Sequence, residues 1–163
     1  MARPNKTGLD YFPLDVVLDE KIELIEAKHG LLGFGIIVKL FQNIYKNGYY
    51  IDVSEDRLLL LKNKLNVDYD LIVKVIGDGC KWSIFDQGVF KKYQVLTSRG
   101  IQKRFIEATK RRKEVDFIRE YLVINNVSSW YKDEVSVNIN KLNGNINDEI
   151  VDHGTYSKEK QSI

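Results

Sequence analysis

Cysteine is nearly absent from this chain. One residue, Cys80, stands in 163, so no intramolecular disulfide can form, and two distant histidines, His29 and His153, leave no Cys/His cluster for zinc. No uncharged run approaches the roughly 18 residues needed to cross a bilayer, and Met1-Ala-Arg-Pro-Asn-Lys6 lacks the apolar stretch of a secretion signal. A reducing, cytoplasmic setting without a membrane partner is the expectation. Net charge is also small: 25 Lys and Arg against 23 Asp and Glu leave +2, which alone argues neither for nor against a polyanionic partner.

What is present is bulk for a core. A 44% hydrophobic share with nine Tyr, seven Phe and two Trp is too apolar for a disordered chain, and the length suits one domain. After a basic arm (Arg3, Lys6) and an extended lead-in to residue 18, Asp19 caps a helix over Glu20–Lys28 that Gly30 stops. Phe34, Ile37, Val38, Phe41 and Ile44 recur at three- and four-residue spacing and predict a second helix from Gly33 to Lys46. Tyr49–Ile51 predicts a short strand, followed by a helix over 54–64, a turn at 65–68 and a helix over 69–76 that ends in Gly77-Asp-Gly79.

Cys80–Phe85 and Tyr93–Thr97, separated by the turn signal Asp86-Gln-Gly88, predict a β-hairpin with a charged tip. Ser98 then caps a long helix over about 99–122, with Ile101, Phe105, Ala108, Val115, Ile118 and Leu122 on one stripe. The reading is therefore mostly α with a small β-hairpin: a winged helix-turn-helix domain over 1–122 closed by a long C-terminal helix, and a flexible Val/Asn-rich tail over 123–163. The alternation Val135-Ser-Val-Asn-Ile-Asn140 gives that tail strand-forming character on contact.

Function is read from where the charge sits. Between Gly88 and Lys113 stand nine cations (Lys91, Lys92, Arg99, Lys103, Arg104, Lys110, Arg111, Arg112 and Lys113) and one acid, Glu107, a local +8 that leaves −6 on the rest of the chain. A basic wing and terminal helix form the footprint of phosphate contacts with DNA, to which Arg3 and Lys6 add a flexible arm. The helix over 69–76, with Asp68, Asp70 and Asp78 around Lys74, is expected to repel a DNA backbone and so to stay out of the groove. An acidic segment over 10–30 offers a surface for a basic stripe on a second copy, and hence a homo-oligomer.

Enzyme chemistry has little to work with. Neither His29, at a helix end, nor Cys80, beside Trp82, has an oriented base or third group suggested by the sequence, and Gly30-Leu-Leu-Gly-Phe-Gly35 follows no strand and precedes no Lys-Ser/Thr pair. No catalytic residue, cofactor or metal is expected.

Four stretches carry a family resemblance: Arg3-Pro-Asn-Lys6, Gly8-Leu-Asp-Tyr-Phe-Pro-Leu-Asp15, Lys39-Leu40 with Ile44-Tyr-Lys-Asn-Gly-Tyr-Tyr50, and Leu96-Thr-Ser-Arg-Gly-Ile-Gln-Lys-Arg-Phe-Ile-Glu-Ala-Thr-Lys-Arg-Arg-Lys113. Over about 1–122 the chain resembles the N-terminal domain of phage and prophage proteins related to DnaD-type replication-initiation proteins. The resemblance implies a winged-helix module that binds DNA, duplex or single-stranded, in replication initiation or primosome assembly, with replication proteins as partners. Gly77-Asp-Gly-Cys80 stands where it implies basic residues, and a chain ending at Ile163 is not expected to carry the second helical domain or to load a helicase. Two other readings stay open: an interaction or oligomerisation module without DNA contact, and a transcriptional regulator reading bases through Asn63, Lys64, Asn66 and Lys74.

Overall fold

The computed structural model describes residues 6–142. Asp19 accepts a hydrogen bond from the Lys21 amide and opens α1, Glu20–Asn47. At Gly30 the backbone leaves helical geometry (φ 75°, ψ −172°), so α1 is two helical stretches broken where the glycine predicts it. Its second stretch is the centre of the core: Ile36, Ile37, Leu40 and Ile44 are fully buried, and burial of each such side chain contributes roughly 1.5–3 kcal/mol.

A short strand β1 (Ile51–Asp52) leads to α2 (Glu55–Leu65), whose end is set by Asn66 in the left-handed region at φ 55°. Helix α3 then runs over Tyr69–Lys81, through the glycines expected to stop it. The reason is packing: Ile72, Val75, Ile76 and Cys80 are buried, and a Cβ on Gly79 would stand 2.8 Å from the Phe85 ring, so this glycine admits Phe85 rather than ending the helix. Gly77 meets nothing within 4 Å, and tertiary burial of its neighbours overrides its weak helix preference.

The expected hairpin of Cys80–Phe85 with Tyr93–Thr97 does not form. Asp86 accepts from the Val89 amide (2.9 Å) and caps a short helix α4, Gln87–Tyr93, where a turn and wing tip were expected. Val95–Leu96 is β2 and pairs antiparallel with β1, Ile51 opposite Leu96. The small antiparallel β element is present, with β1 in the place of the predicted partner.

Nor is there a long terminal helix. Ser98 does cap α5, its Oγ accepting from Ile101 N at 3.2 Å, but α5 covers only Arg99–Ala108. Thr109 stops it by donating its hydroxyl to the Phe105 carbonyl (2.7 Å) and sharing a hydrogen with the Tyr131 hydroxyl (2.7 Å). Beyond the turn, Glu114–Ile118 forms β3, with Val115 and Phe117 buried between exposed Glu114 and Asp116. Strand β4, Ser136–Asn140, pairs with it in parallel, Val137 opposite Val115 and Ile139 opposite Phe117. Short 3-10 turns at Arg119–Tyr121 and Val127–Trp130 lie in the crossover. Residues 123–142 of the expected tail therefore carry ordered structure, and 143–163 lie outside the described residues. Tilted ring contacts join this layer to the helices: Tyr49 lies 5.4 Å from Phe105 and 5.2 Å from Phe117, centroid to centroid. Among the described residues no helix is long and apolar enough to cross a membrane.

One polar cluster fastens α3 to α1 beside the break. Asp78 accepts from His29 Nε2 (2.6 Å) and Lys28 Nζ (2.9 Å), and Lys28 lies 5.8 Å over the Trp82 ring. Burial pushes the Asp78 carboxyl up, but the hydrogen bonds from His29 and Lys28 outweigh it and hold the group below the ordinary carboxylate value. Asp78→Asn is expected to destabilise the fold by about 2 kcal/mol at neutral pH, as charge-assisted bonds do when neutralised. A depressed folded pKa stabilises fully above the unfolded value and loses that contribution as pH falls through the folded one. The gap between wild type and variant in urea midpoints should therefore close from about pH 4 downward. A gap independent of pH would contradict the assignment.

Candidate nucleic-acid interface

The burial pattern of α5 decides which of its cations can meet a ligand. Ile101, Gln102, Phe105 and Ile106 face inward, and the 3.6-residue period then leaves Arg99, Lys103, Arg104 and Glu107 exposed on the outer side. Arg99 and Lys103 are one turn apart, about 6 Å along the axis. Arg104 leans back, its Nη1 donating to the Tyr45 hydroxyl at 3.4 Å. Burial raises the Tyr45 phenol above its ordinary value despite the neighbouring guanidinium, so it remains a neutral hydroxyl.

The turn after Thr109 holds four cations in different states. Arg111 and Lys113 are exposed. Lys110 reaches Glu107 at 3.2 Å, a solvent-facing pair of small energetic weight. Arg112 is half-buried and donates to the carbonyls of Lys6 (2.7 Å) and Gly8 (2.6 Å). It therefore clamps the N-terminal segment, which also bonds α1 through Leu9 N to Tyr45 O at 2.7 Å. The approach is so close that a Cβ on Gly8 would overlap the Lys46 carbonyl oxygen. Lys6 pairs with Asp10, so it is engaged locally. Arg3 lies outside the described residues.

Lys91 and Lys92 are exposed in the last turn of α4, a helix end where cations are favoured, and not on a hairpin tip. Lys92 lies 5.6 Å over the Tyr93 ring, which packs on Tyr121 at 5.5 Å. The described contacts thus tie Lys92 to the Tyr93–Tyr121 patch and Arg104 to Tyr45. The structure brings Arg99, Lys103 and Arg104 onto one helix face, with Arg111 and Lys113 in the turn that follows.

Two features escaped the sequence reading. Asp78, expected to repel DNA, points into the structure and is paired, so α3 presents Asp70, Lys74 and Lys81 outward instead. A third basic position also forms where the end of α1 meets α2: Lys46, Arg57 and Lys64 line a groove of about 610 Å³. Only packing of α2 against the Tyr50–Val53 segment assembles it, and no local run of charge signals it. Cys80 is a core thiol: burial first, and the Asp86 charge second, push it up to about 11, leaving it protonated at neutral pH.

No solved structure matches the chain. Over 153 residues it is 42% identical to a protein described as uncharacterized phage-related protein Lin1244/Lin1753, from Listeria innocua serovar 6a. The alignment covers 91% of this chain and 50% of the relative, so the chain spans about half the relative's length. Residues 11–101, from the lead-in through the first turn of α5, match the family described as Lin1244/Lin1753-like, N-terminal. That stretch is more than half of the sequence, and the chain belongs to the Lin1244/Lin1753-like N-terminal domain family.

Proposed function

We propose that this domain binds DNA through its phosphates, using the outer face of α5 and the turn behind it, and that it serves phage replication initiation or primosome assembly without catalysing a reaction itself. The observation that supports it is the exposure of Arg99, Lys103, Arg104, Arg111 and Lys113 within one short segment whose lone acid, Glu107, is already engaged by Lys110. In the order α1, β1, α2, α3, α4, β2, a winged-helix reading has α4, ending in Lys91 and Lys92, in place of a wing hairpin. Likeness to DnaD-type replication-initiation proteins supplies the replication setting. Backbone contacts position a protein without reading bases, so weak sequence preference is part of the reading.

A gel-shift series over salt with duplex, forked and single-stranded probes tests it. The logarithm of affinity should fall linearly with the logarithm of salt concentration, with a slope of about −0.9 per phosphate contact on duplex. Binding that ignores salt, or no binding to any probe, would overturn the proposal. An interaction module is the second reading, favoured by the exposure of Val16, Val17, Leu31 and Leu32 beside the acids of the 10–30 segment. A complex of two copies formed without nucleic acid, seen by sedimentation, would support it.

A further inference from the structure

The groove between α1 and α2 is independent of the α5 face, and its composition points to a peptide. Helix α2 buries only Leu58, while Leu60 stays 65% exposed on the groove wall. Leu58 and Leu61 give the groove apolar lining, and Lys46, Arg57 and Lys64 rim it. Its one acid, Asp52, accepts from the Ser54 amide at 2.8 Å. An apolar trough under three cations suits an acidic segment with branched aliphatic side chains.

Such a segment stands in this chain. Ile146-Asn-Asp-Glu-Ile-Val-Asp152 holds three branched aliphatic residues and three carboxylates, matching the three cations in number. A chain of contacts links Leu142, the last described residue, to the groove. Leu142 N donates to Glu120 Oε1 (2.8 Å), and the adjoining Tyr121 ring lies 4.8 Å from Tyr50, a groove residue. Asn140 lines a neighbouring cleft that shares Asn47 and Tyr50 with the groove. The four Cα–Cα steps from Leu142 to Ile146 can span up to about 14 Å.

We propose that residues 146–152 dock in the α1–α2 groove of their own chain, the Asp148, Glu149 and Asp152 carboxylates against Lys46, Arg57 and Lys64, and the aliphatic side chains against Leu60 and Leu61. The segment shields the exposed wall of α2 and neutralises a cationic patch that lies apart from α5.

Disulfide trapping in the full chain tests this without nucleic acid, so its result is independent of the DNA reading. Asn147→Cys keeps every aliphatic and acidic residue of the segment. It is paired in turn with Asn43→Cys in the groove lining, Asn63→Cys on α2 outside that lining, and Lys103→Cys on α5. Intramolecular closure, read by non-reducing mass spectrometry, should be roughly tenfold faster at position 43 than at 63 or 103, because docking raises effective concentration. It should fall to the control rate when Asp148, Glu149 and Asp152 become Asn, Gln and Asn. Equal rates at the three positions, fastest closure at 103, a product joining two chains, or a rate unmoved by the neutral substitutions would each overturn the proposal.

Discussion

Replacing Arg99, Lys103 and Arg111 together with alanine is expected to reduce the salt slope of duplex binding by nearly three units, at about 0.9 per lost phosphate contact. Between roughly 50 and 200 mM salt, the drop in affinity should then be about 40-fold shallower than for the unaltered chain. All three side chains are exposed and none supports the core, so each change is expected to shift stability by less than about 0.5 kcal/mol. Arg112→Ala separates position from charge. Its guanidinium is engaged by the Lys6 and Gly8 carbonyls, so its loss should leave the slope unchanged and speed hydrogen exchange at Leu9, whose amide bonds Tyr45 O. A slope that falls equally with Arg112 and with the outer three would mean that total charge, rather than the α5 face, sets binding. An unchanged slope in the triple variant would remove this face from the interface.

The boundaries that could be read in the chain are those set by local chemistry. Asp19 and Ser98 bond amides within their own helices, Asn66 adopts the left-handed turn, and Gly30 breaks α1. The errors lie where a distant contact decides. Gly79 serves Phe85, and Asp78 is held by His29, both beyond any local window. Asp86-Gln-Gly88 is both a turn signal and a helix cap, and the structure uses the cap. Val115, Ile118 and Leu122 satisfy helical spacing, yet Val115 and Phe117 satisfy alternation equally well. The strand wins because Val137 and Ile139 supply a parallel partner twenty-two residues downstream. The same limit holds at the candidate interface. The cationic run was legible as composition, and so was the outer position of Arg99, Lys103 and Arg104, which needs only a capped helix with Ile101 and Phe105 inside. That Arg112 turns to the N-terminal arm was not legible, because its partners lie 106 and 104 residues away.

Gln102→Leu should destabilise the fold by about 3 kcal/mol, from the cost of one buried and one part-buried polar group left without partners. The Gln102 amide is fully buried: its Nε2 donates to Thr97 Oγ1 (3.1 Å) and to the Tyr121 carbonyl (2.8 Å), and its Oε1 accepts from Val123 N (2.9 Å). Thr97 in turn donates to the Tyr49 carbonyl at 2.6 Å. One side chain on α5 therefore joins the residue after β2 to the segment leaving β3, and Thr97 extends the network to Tyr49, which follows α1. Leucine nearly preserves volume but leaves the buried Tyr121 carbonyl and the part-buried Val123 amide without these partners. For a chain of this size, 3 kcal/mol corresponds to a melting point lower by roughly 6–12 °C. Hydrogen exchange at Val123 should rise in the variant while exchange at Ile72 within α3 follows global stability alone. Thr97→Val should cost less, about 1–2 kcal/mol, because it takes the hydroxyl from the Tyr49 carbonyl while Gln102 keeps its bonds to Tyr121 and Val123. If leucine is tolerated without loss, this amide is not what holds the β3–β4 layer to the helices, and the tilted ring contacts of Tyr49, Phe105 and Phe117 with the Thr109–Tyr131 and Ile118–Tyr49 hydrogen bonds do so.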